Sequence, residues 1–290
     1  MRIADLLTRG RPTISFEFMA PRDEGEVEVL ERTIAALAGN APDWVSVTYR
    51  RVTGHRTLEL VTRMKRQHHV EAMAHLSCAN SADETRRILN WMEREGVANV
   101  LALRGDPPGP GRPFEPVDPG LVHGSDLVSL IRGSGYRMAI GAACSAEKHP
   151  ESPDLEHELR YMRLKVDAGA DFLITQLFFE NRFYFDLMAR ARATGVRVPI
   201  VPGLMPVPSR RSLDFMTTMT GATVPAELAA AIAEAPDDDA VREIGIQHCI
   251  AQCAELLEAG VPGLHFYTFN RARAATVILE SLRGRQLLTA

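Results

Sequence analysis

The feature that most constrains the fold is the alternation of short apolar runs with helical stretches along all 290 residues. Eight of the apolar runs have the length of strands. They are ISFEF (14–18), WVSVTY (44–49), EAMAHLSC (71–78), NVLALRG (99–105), MAIGAACS (138–145), FLITQLFF (172–179), PIVPGLMP (199–206) and GLHFYTFN (263–270). Because they are nearly continuous in apolar residues, they are typical of parallel strands that are buried on both faces.

Segments whose apolar residues recur three and four positions apart lie between these runs and predict amphipathic helices. They include 27–39, 81–96, 125–135, 154–169 and 180–195. Ser125 is the predicted N-cap of the third of these helices. Eight strands alternating with helices predict the α/β class and a single (β/α)8 TIM barrel over residues 1–290. Residues 221–260 predict an extra helix and then the helix before strand 8.

A doubly wound open sheet is the alternative architecture, and the first strand argues against it. The segment TISFEFMAPRDEG (13–25) contains that strand but no G-x-G-x-x-G turn to hold a dinucleotide phosphate. The chain also lacks the P-loop motif and the G-x-S-x-G nucleophile motif. The barrel is therefore the favoured prediction.

Charge and hydropathy exclude several kinds of partner. The net charge is −4, which gives no electrostatic support for binding nucleic acid or an anionic membrane. No apolar run reaches the roughly 18 residues of a transmembrane helix. The start of the chain, MRIADLLTRG, is too short and too polar for a secretory signal. We therefore expect a cytoplasmic protein.

The four cysteines indicate neither a disulfide framework nor a metal site. Cys78 and Cys144 lie in apolar runs and are predicted to be buried thiols. Cys249 and Cys253 are one helical turn apart and lie beside His248, a spacing that could bind a metal. Because no second pair of ligands is evident, packing of an amphipathic helix is the favoured interpretation.

Polar residues lie near the carboxyl ends of the predicted strands, which meet at one mouth of a TIM barrel. They are Glu17, Thr48, Tyr49, His75, Arg104, Gly105, Asp106, Glu147, His149, Gln176, His265, Tyr267, Asn270 and Arg271. Any one of them is compatible with an ordinary hydrogen bond in the core or at the rim. Together they predict a ligand site.

Glu17 is the strongest candidate for a catalytic residue. Alternation along a strand places Ser15 and Glu17 on one face and Phe16 and Phe18 on the other. A carboxylate that points inward among apolar walls is expected to have a raised pKa and to act as a general acid near neutral pH. The alternative is an ion pair inside the barrel, for instance with Arg271 or Lys165.

Asp106 is the second candidate, because it follows a strand and a glycine that would permit close approach to a ligand. By itself it is also compatible with an ordinary turn aspartate. The segment 106–124, rich in proline and glycine, predicts an ordered loop or lid. Lys165 lies in a predicted helix and, from the sequence pattern alone, is expected on a solvated face.

The chain resembles the methylenetetrahydrofolate reductase family, specifically its bacterial-type catalytic barrel. The stretches that carry the resemblance keep their order across nearly the whole chain, and together they are highly specific. They are SFEF (15–18), VSVTY (45–49), LALRGD (101–106), SDLV (125–128), KVDAGADFLITQLFF (165–179), IVPG (200–203) and HFYTFNRA (265–272).

The resemblance implies reduction of 5,10-methylenetetrahydrofolate to 5-methyltetrahydrofolate, with hydride passing from NADH or NADPH through FAD. It implies that Glu17 is the general acid and that Asp106 lies between flavin and pterin. Gln176 and Arg271 would contact the folate. The implied flavin contacts are Thr48, Tyr49, His75, Arg104, Gly105, Asp106, His149 and Lys165. Members are commonly homo-oligomers, so we expect one here.

The departures from the family pattern cluster on the flavin side. The glycine-rich turn that usually follows VSVTY is here RRVTGHR (50–56), and Ser145 replaces a tyrosine expected at the flavin. Glu17, Asp106, Gln176 and Arg271 are retained. Two alternatives therefore stay open: direct hydride transfer from nicotinamide to folate without flavin, and a related barrel acting on another substrate. A barrel that binds folate without catalysis is disfavoured by the intact Glu17 and Asp106.

Overall fold

The structure is a computed structural model that describes residues 1–49, 54–106 and 113–288. Its strands are β1 (Thr13–Phe18), β2 (Trp44–Val47), β3 (Glu71–Ser77), β4 (Asn99–Leu103), β5 (Ala139–Cys144), β6 (Phe172–Thr175), β7 (Ile200–Val201), β8 (Gly203–Leu204) and β9 (Gly263–Tyr267). Its helices are α1 (Ile3–Leu6), α2 (Glu24–Ala38), α3 (Gly54–Gln67), α4 (Ala82–Glu95), α5 (Gly124–Gly133), α6 (Leu155–Asp167), α7 (Asn181–Ala193), α8 (Arg210–Thr220), α9 (Ala226–Glu234), α10 (Asp238–Glu258) and α11 (Arg273–Gly284).

All strand pairs are parallel, in the order β7-β6-β5-β4-β3-β2-β1-β9-β8. The two ends of this order meet in the chain, because β7 and β8 are separated only by Pro202. The Pro202 carbonyl accepts a hydrogen bond from the His265 amide at 3.0 Å. β7 and β8 are thus two halves of the seventh barrel strand, and the predicted (β/α)8 barrel is confirmed.

The amino-terminal half of the barrel interior is filled by apolar side chains. The buried cluster contains Trp44, Met73, Leu101, Phe172 and Ile174 from strands around the barrel, and α1 closes it from below with Ile3 and Leu6. The Ile3 amide donates to Asn99 Oδ1 at 2.7 Å, which fixes α1 against the first residue of β4. The first residues of the chain therefore form a plug for the barrel.

The helices surround the strands, and their ends follow local sequence signals. At α4, Ser81 and Glu84 form a capping box, and Gly96 ends the helix with φ +71°. The prediction of Ser125 as an N-cap is wrong, because α5 begins one residue earlier at Gly124. The Asp126 carboxylate there accepts from the His123 amide at 2.8 Å and so satisfies a free N–H group of the first turn.

Three helices, α8, α9 and α10, lie between β8 and β9. Asp237 caps α10 by accepting from the Ala240 amide at 2.9 Å. Cys249 and Cys253 lie on the buried face of this helix, which confirms the packing interpretation. Cys78 and Cys144 are buried as predicted. No group of His, Cys, Asp and Glu side chains within the described ranges is arranged to hold a metal ion.

The predicted strands run too far at their carboxyl ends, and strand 6 shows why. The predicted run 172–179 ends as a strand at Thr175. Leu177 and Phe179 are apolar because they pack against residues of α8, α9 and α10. The apolar residues that follow this strand thus form the surface on which the helices α8, α9 and α10 pack. No helix in the described ranges is long and apolar enough to cross a membrane.

Candidate active site

Glu17 lies at the inner mouth of the barrel, as the alternation along β1 predicts. Ser15 and Glu17 face the interior, while Phe16 and Phe18 belong to the core between strands and helices. Phe16 lies beside Phe266 of β9, with ring centroids 6.2 Å apart. The Glu17 side chain retains 16% exposure, so its carboxylate can meet a ligand that enters the mouth.

Two imidazoles face the same oxygen of Glu17. His75 Nε2 of β3 lies 3.4 Å from Glu17 Oε2, and His265 Nε2 of β9 lies 3.5 Å from it. The partners named in the ion-pair alternative, Arg271 and Lys165, are not those that contact Glu17. The groups that face the carboxylate are therefore imidazoles, which can be neutral or protonated.

His265 is held in place by three contacts. Its Nδ1 lies 2.9 Å from Ser15 Oγ, and its ring stacks on Trp44 with centroids 5.0 Å apart and planes at 11°. Tyr267 meets the ring edge-on at 5.3 Å. Ser15, His265 and Glu17 thus form a continuous polar line from the barrel interior to the mouth.

These surroundings reverse the pKa shift predicted for Glu17. Burial by itself raises the pKa of the Glu17 carboxyl, but the nearby His75 and a hydrogen bond from His265 outweigh burial and lower it. The prediction of a raised pKa is therefore wrong for the ligand-free protein. Burial also lowers the pKa of His75, more than the attraction of Glu17 raises it.

The residues after β4 lie at the same mouth and are partly fixed by the next loop. Arg104 forms a two-point ion pair with Glu151, with one contact of 2.9 Å, and lies over the Phe114 ring. Gly105 has φ +94°, and a Cβ there would lie 3.2 Å from Ser77 Cβ. Asp106 is exposed. This turn thus requires glycine and presents its backbone closely.

Thr48 and Tyr49 lie after β2 and contact neighbouring loops. Thr48 Oγ1 accepts from the Ala20 amide at 3.0 Å, and the Tyr49 hydroxyl donates to Asn80 Oδ1 at 3.0 Å. Asn80 Nδ2 is buried and has no hydrogen-bond partner among the described residues. A buried donor without an acceptor favours a ligand that offers an acceptor at this side of the mouth.

The loop after β5 depends on Glu158, which was absent from the predicted site. This buried carboxylate accepts from the Ser145 amide at 3.1 Å and the Ser152 hydroxyl at 3.4 Å. His149 Nδ1 in the same loop accepts from the Glu151 amide at 3.1 Å. The only sequence signal for Glu158 is an acidic residue in the first turn of the helix that follows this loop.

Lys165 is half-buried, contrary to the solvated position expected from the sequence pattern alone. Its Nζ donates to the Ala143 carbonyl in β5 at 2.8 Å. Burial and the Arg104 charge lower the pKa of His149, so that imidazole is mainly neutral near pH 7. Lys165 and Arg104 are thus both close enough to this neutral imidazole for their charges to lower its pKa.

Gln176 and Arg271 lie on the other side of the mouth. Gln176 follows inward-facing Ile174 by two positions and continues its alternation. Arg271 is exposed and borders a cavity of about 390 Å³ between the β8–α8 loop, α10 and the start of α11. Its guanidinium has no ion pair within the described part of the chain.

Comparison with known proteins identifies the family. A sequence profile described as methylenetetrahydrofolate reductase matches residues 2–283. The chain belongs to the methylenetetrahydrofolate reductase family. It is 33% identical over 282 residues to the 5,10-methylenetetrahydrofolate reductase of Escherichia coli strain K12, covering 96% of this chain and 93% of that protein.

Other members of the family are longer. Methylenetetrahydrofolate reductase (NADH) 1 of Arabidopsis thaliana is 34% identical over 295 residues, covering 97% of this chain and 50% of that protein. The chain thus spans about half the length of this plant relative. A solved protein of Clostridium thermocellum, described as binding two copies of 5-methyl-5,6,7,8-tetrahydrofolic acid, has the same fold. Its TM-score is 0.66, with 16% identity and coverage of 97% of this chain and 98% of that one.

Family membership confirms the resemblance in the sequence, while several further predictions stay predictions. Most of the loop 50–56, where the sequence departs from the family, lies outside the described residues, as does 107–112 of the predicted lid. The homo-oligomeric state and the cytoplasmic location also stay predictions. Light scattering and cell fractionation would test them.

Proposed function

We propose that this chain reduces 5,10-methylenetetrahydrofolate to 5-methyltetrahydrofolate, with FAD as bound electron carrier and NADH or NADPH as donor. One observation carries the proposal: Glu17 lies inside the mouth of this family's barrel with two imidazoles on one carboxylate oxygen. The reduction needs a proton on a ring nitrogen, so that the carbon–nitrogen bond of the methylene bridge can break. A carboxylate coupled to imidazoles is suited to deliver it.

The residues on the β3 and β4 side fit a flavin. The buried donor Asn80 Nδ2 lacks an acceptor, and an isoalloxazine ring offers carbonyl and ring-nitrogen acceptors. Gly105 permits close backbone approach, and the cations Arg104 and Lys165 suit a diphosphate. When bound, FAD supplies a carrier that takes a hydride from the nicotinamide and returns it to the folate.

A change in the pKa of Glu17 on substrate binding would allow this ionised carboxylate to serve as an acid. In the free protein its lowered pKa keeps the carboxyl ionised near neutral pH. Burial already raises that pKa, and a folate over the mouth would remove the remaining 16% exposure and raise it further. Substrate binding thus draws a proton onto Glu17, beside the nitrogen that needs it, while His265 and Ser15 hold the carboxylate in place.

Glu17→Gln tests this role. The amide keeps the shape of the side chain but cannot donate an acidic proton, so we expect kcat to fall about 10²-fold or more, with folate still bound. Glu28→Gln removes an exposed carboxylate on α2 and is the matched control. Near-normal turnover by Glu17→Gln would refute the proposed mechanism.

Direct hydride transfer from nicotinamide to folate is the second candidate. It is favoured by the internal contacts of the predicted flavin-side cations: Arg104 pairs with Glu151, and Lys165 donates to Ala143. The absorbance spectrum of freshly purified protein separates the two candidates. A yellow protein that releases flavin on heating supports the first, and a colourless protein that oxidises NADH only with methylenetetrahydrofolate supports the second.

A further inference from the structure

A single carboxylate ties together two loops of the mouth that are far apart in sequence. Glu147, in the loop between β5 and α6, accepts from the Thr223 amide at 2.9 Å and also from the Thr223 hydroxyl. Thr223 lies in the connection between α8 and α9, 76 residues further along the chain. Hydrogen bonds to an ionised acceptor are stronger than those between neutral groups. The Glu147–Thr223 pair therefore ties α8 to the β5–α6 loop.

The strand order shows what this pair spans. In the barrel β6 lies between β5 and β7, and β8 continues β7. α8 begins at Arg210 after β8, and its last residue is about 15 Å further on by helical rise. Gly221, which ends the helix, lies so near the β5–α6 loop that a Cβ there would be 3.6 Å from the Pro150 ring. α8 therefore runs along the mouth past the carboxyl end of β6, where Gln176 lies.

The loop after β6 supports this placement. The hydrogen bond from Arg182 to Glu180 raises the pKa of Arg182 in the first turn of α7, and the negative charge of Glu147 adds to that shift. Glu147 thus lies close to the β6–α7 loop. Leu177 of the same loop belongs to the buried cluster that contains Leu213 of α8.

The two ends of α8 are held in different ways. At the first residue, Arg210 donates to the Ile232 carbonyl at 3.0 Å and to two further carbonyls at the end of α9. Between the ends, Leu213 is the single buried residue of the helix. A helix that buries one side chain gains little stability from packing. The position of the far end therefore depends on the Glu147–Thr223 pair.

The β5–α6 loop is the fixed partner in this contact. Its Ser145 amide donates to the buried Glu158 carboxylate at 3.1 Å, and Glu151 pairs with Arg104 beyond β4. The loop is thus braced from two sides. When the Glu147–Thr223 pair breaks, α8 moves about its anchored first turn and the loop stays in place.

We propose that Glu147 is a positioning residue that holds α8 across the mouth, and that the Glu147–Thr223 pair opens each time a folate enters or leaves. The inference rests on the proposed function, because it takes the ligand to be a folate. The proposed folate contacts Gln176 and Arg271 lie outside α8, so a bound folate favours neither position of the helix. A larger open fraction then speeds entry and exit by the same factor and leaves the dissociation constant unchanged.

Stopped-flow fluorescence with 5-methyltetrahydrofolate would measure both rates. Thr223→Val removes the hydroxyl and keeps the amide contact, so we expect association and dissociation each to become about fivefold faster, the effect of one exposed hydrogen bond to a charged group. Thr223→Ser keeps the hydroxyl and should retain the wild-type rates. Thr218→Val is the matched control, because the Thr218 hydroxyl donates to the Asp214 carbonyl of its own helix at 2.7 Å.

Glu147→Ala removes both hydrogen bonds and should raise both rates about tenfold or more. Adding Thr223→Val to it should change neither rate further, because the hydroxyl has already lost its acceptor. Hydrogen exchange of the ligand-free protein measures the opening directly. Glu147→Ala should speed exchange in residues 217–224 and leave that of α11 unchanged.

Unchanged rates in Thr223→Val and Glu147→Ala would overturn the inference, as would unchanged exchange in residues 217–224. A loss of affinity through faster dissociation alone would also overturn it, since a gate speeds both directions. If the wild-type protein reduces methylenetetrahydrofolate in these cases, the proposed function survives and only the inference fails. A protein that binds folate with both rates raised in the variants, but does not reduce it, would overturn only the proposed function. Failure of the wild-type protein to bind folate would overturn both.

Discussion

Removing the Ser15 hydroxyl tests whether the line from Ser15 through His265 to Glu17 supports catalysis. Ser15 Oγ lies 2.9 Å from His265 Nδ1 and donates to the Leu264 carbonyl at 3.2 Å. Because His265 Nε2 donates to Glu17, a neutral imidazole accepts at Nδ1, and the Ser15 hydroxyl, which has Leu264 and His265 as neighbouring acceptors, is the donor in that contact. Ser15→Ala removes this restraint on the protonation and orientation of the imidazole without adding volume.

The size of the effect follows from the burial of the group. Ser15 and His265 are both fully buried, so water cannot replace the lost hydroxyl. A buried ring nitrogen left without its hydrogen-bond partner costs about 1–3 kcal/mol. If this cost falls on the transition state, kcat drops roughly 5- to 150-fold.

Steady-state kinetics over a range of pH would measure this effect. We expect kcat to fall while KM for the folate changes little, because Ser15 lies beneath Glu17 and away from the cavity residues. Ser134→Ala is the matched control, since the hydroxyl of this half-buried residue at the end of α5 donates to the Leu130 carbonyl at 2.7 Å. A Ser15→Ala protein with wild-type kcat and an unchanged pH profile would refute the relay.

Two further predictions concern stability. The pKa values of His75 and Glu17 are both lowered in the folded state, so the stability each contributes is present above its unfolded value and lost as the pH falls. The wild-type melting temperature should therefore decrease below pH 6.5 through His75 and again below pH 4.5 through Glu17, and His75→Gln should flatten the first decrease. Gly203→Ala would place a Cβ 2.7 Å from the Tyr267 ring and against the Thr175 carbonyl. It should cost about 1–3 kcal/mol in urea unfolding, whereas Gly133→Ala, where a Cβ has open space, should not destabilise.

The barrel could be predicted because its main signal is local. Each buried parallel strand is an apolar run between helical stretches, and eight of them require closure or an open sheet. The local pattern gave wrong strand ends where apolar residues are buried outside a strand. Leu177 and Phe179 are an example, because they pack against α8, α9 and α10. Helix α8 was not predicted, since Leu213 is its single buried residue and Phe215 is 60% exposed.

The inward direction of Glu17 could also be predicted, because alternation needs only its neighbours in sequence. Its pKa could not, because the deciding groups come from elsewhere in the chain. His75 lies two strands away in the barrel, and His265 is 248 residues further along the chain. The hydrogen bond between the Met19 amide and the Asn270 side chain likewise joins residues 251 positions apart in the chain. Sequence pattern thus located the candidate site, and tertiary contacts set its charge states.

The choice of histidine rather than arginine beside Glu17 bears on what the carboxylate can do. A guanidinium remains charged at every physiological pH and would hold the carboxylate ionised throughout a reaction cycle. An imidazole can give up or accept a proton near neutral pH, so the charge of the cluster can change when a ligand covers it. Arg104 and Arg271, the arginines assigned to this mouth, lie instead on its two sides, where a cofactor or substrate carries permanent negative charge. The fixed charges of the mouth are thus placed for binding, while the groups around Glu17 are those that can exchange a proton.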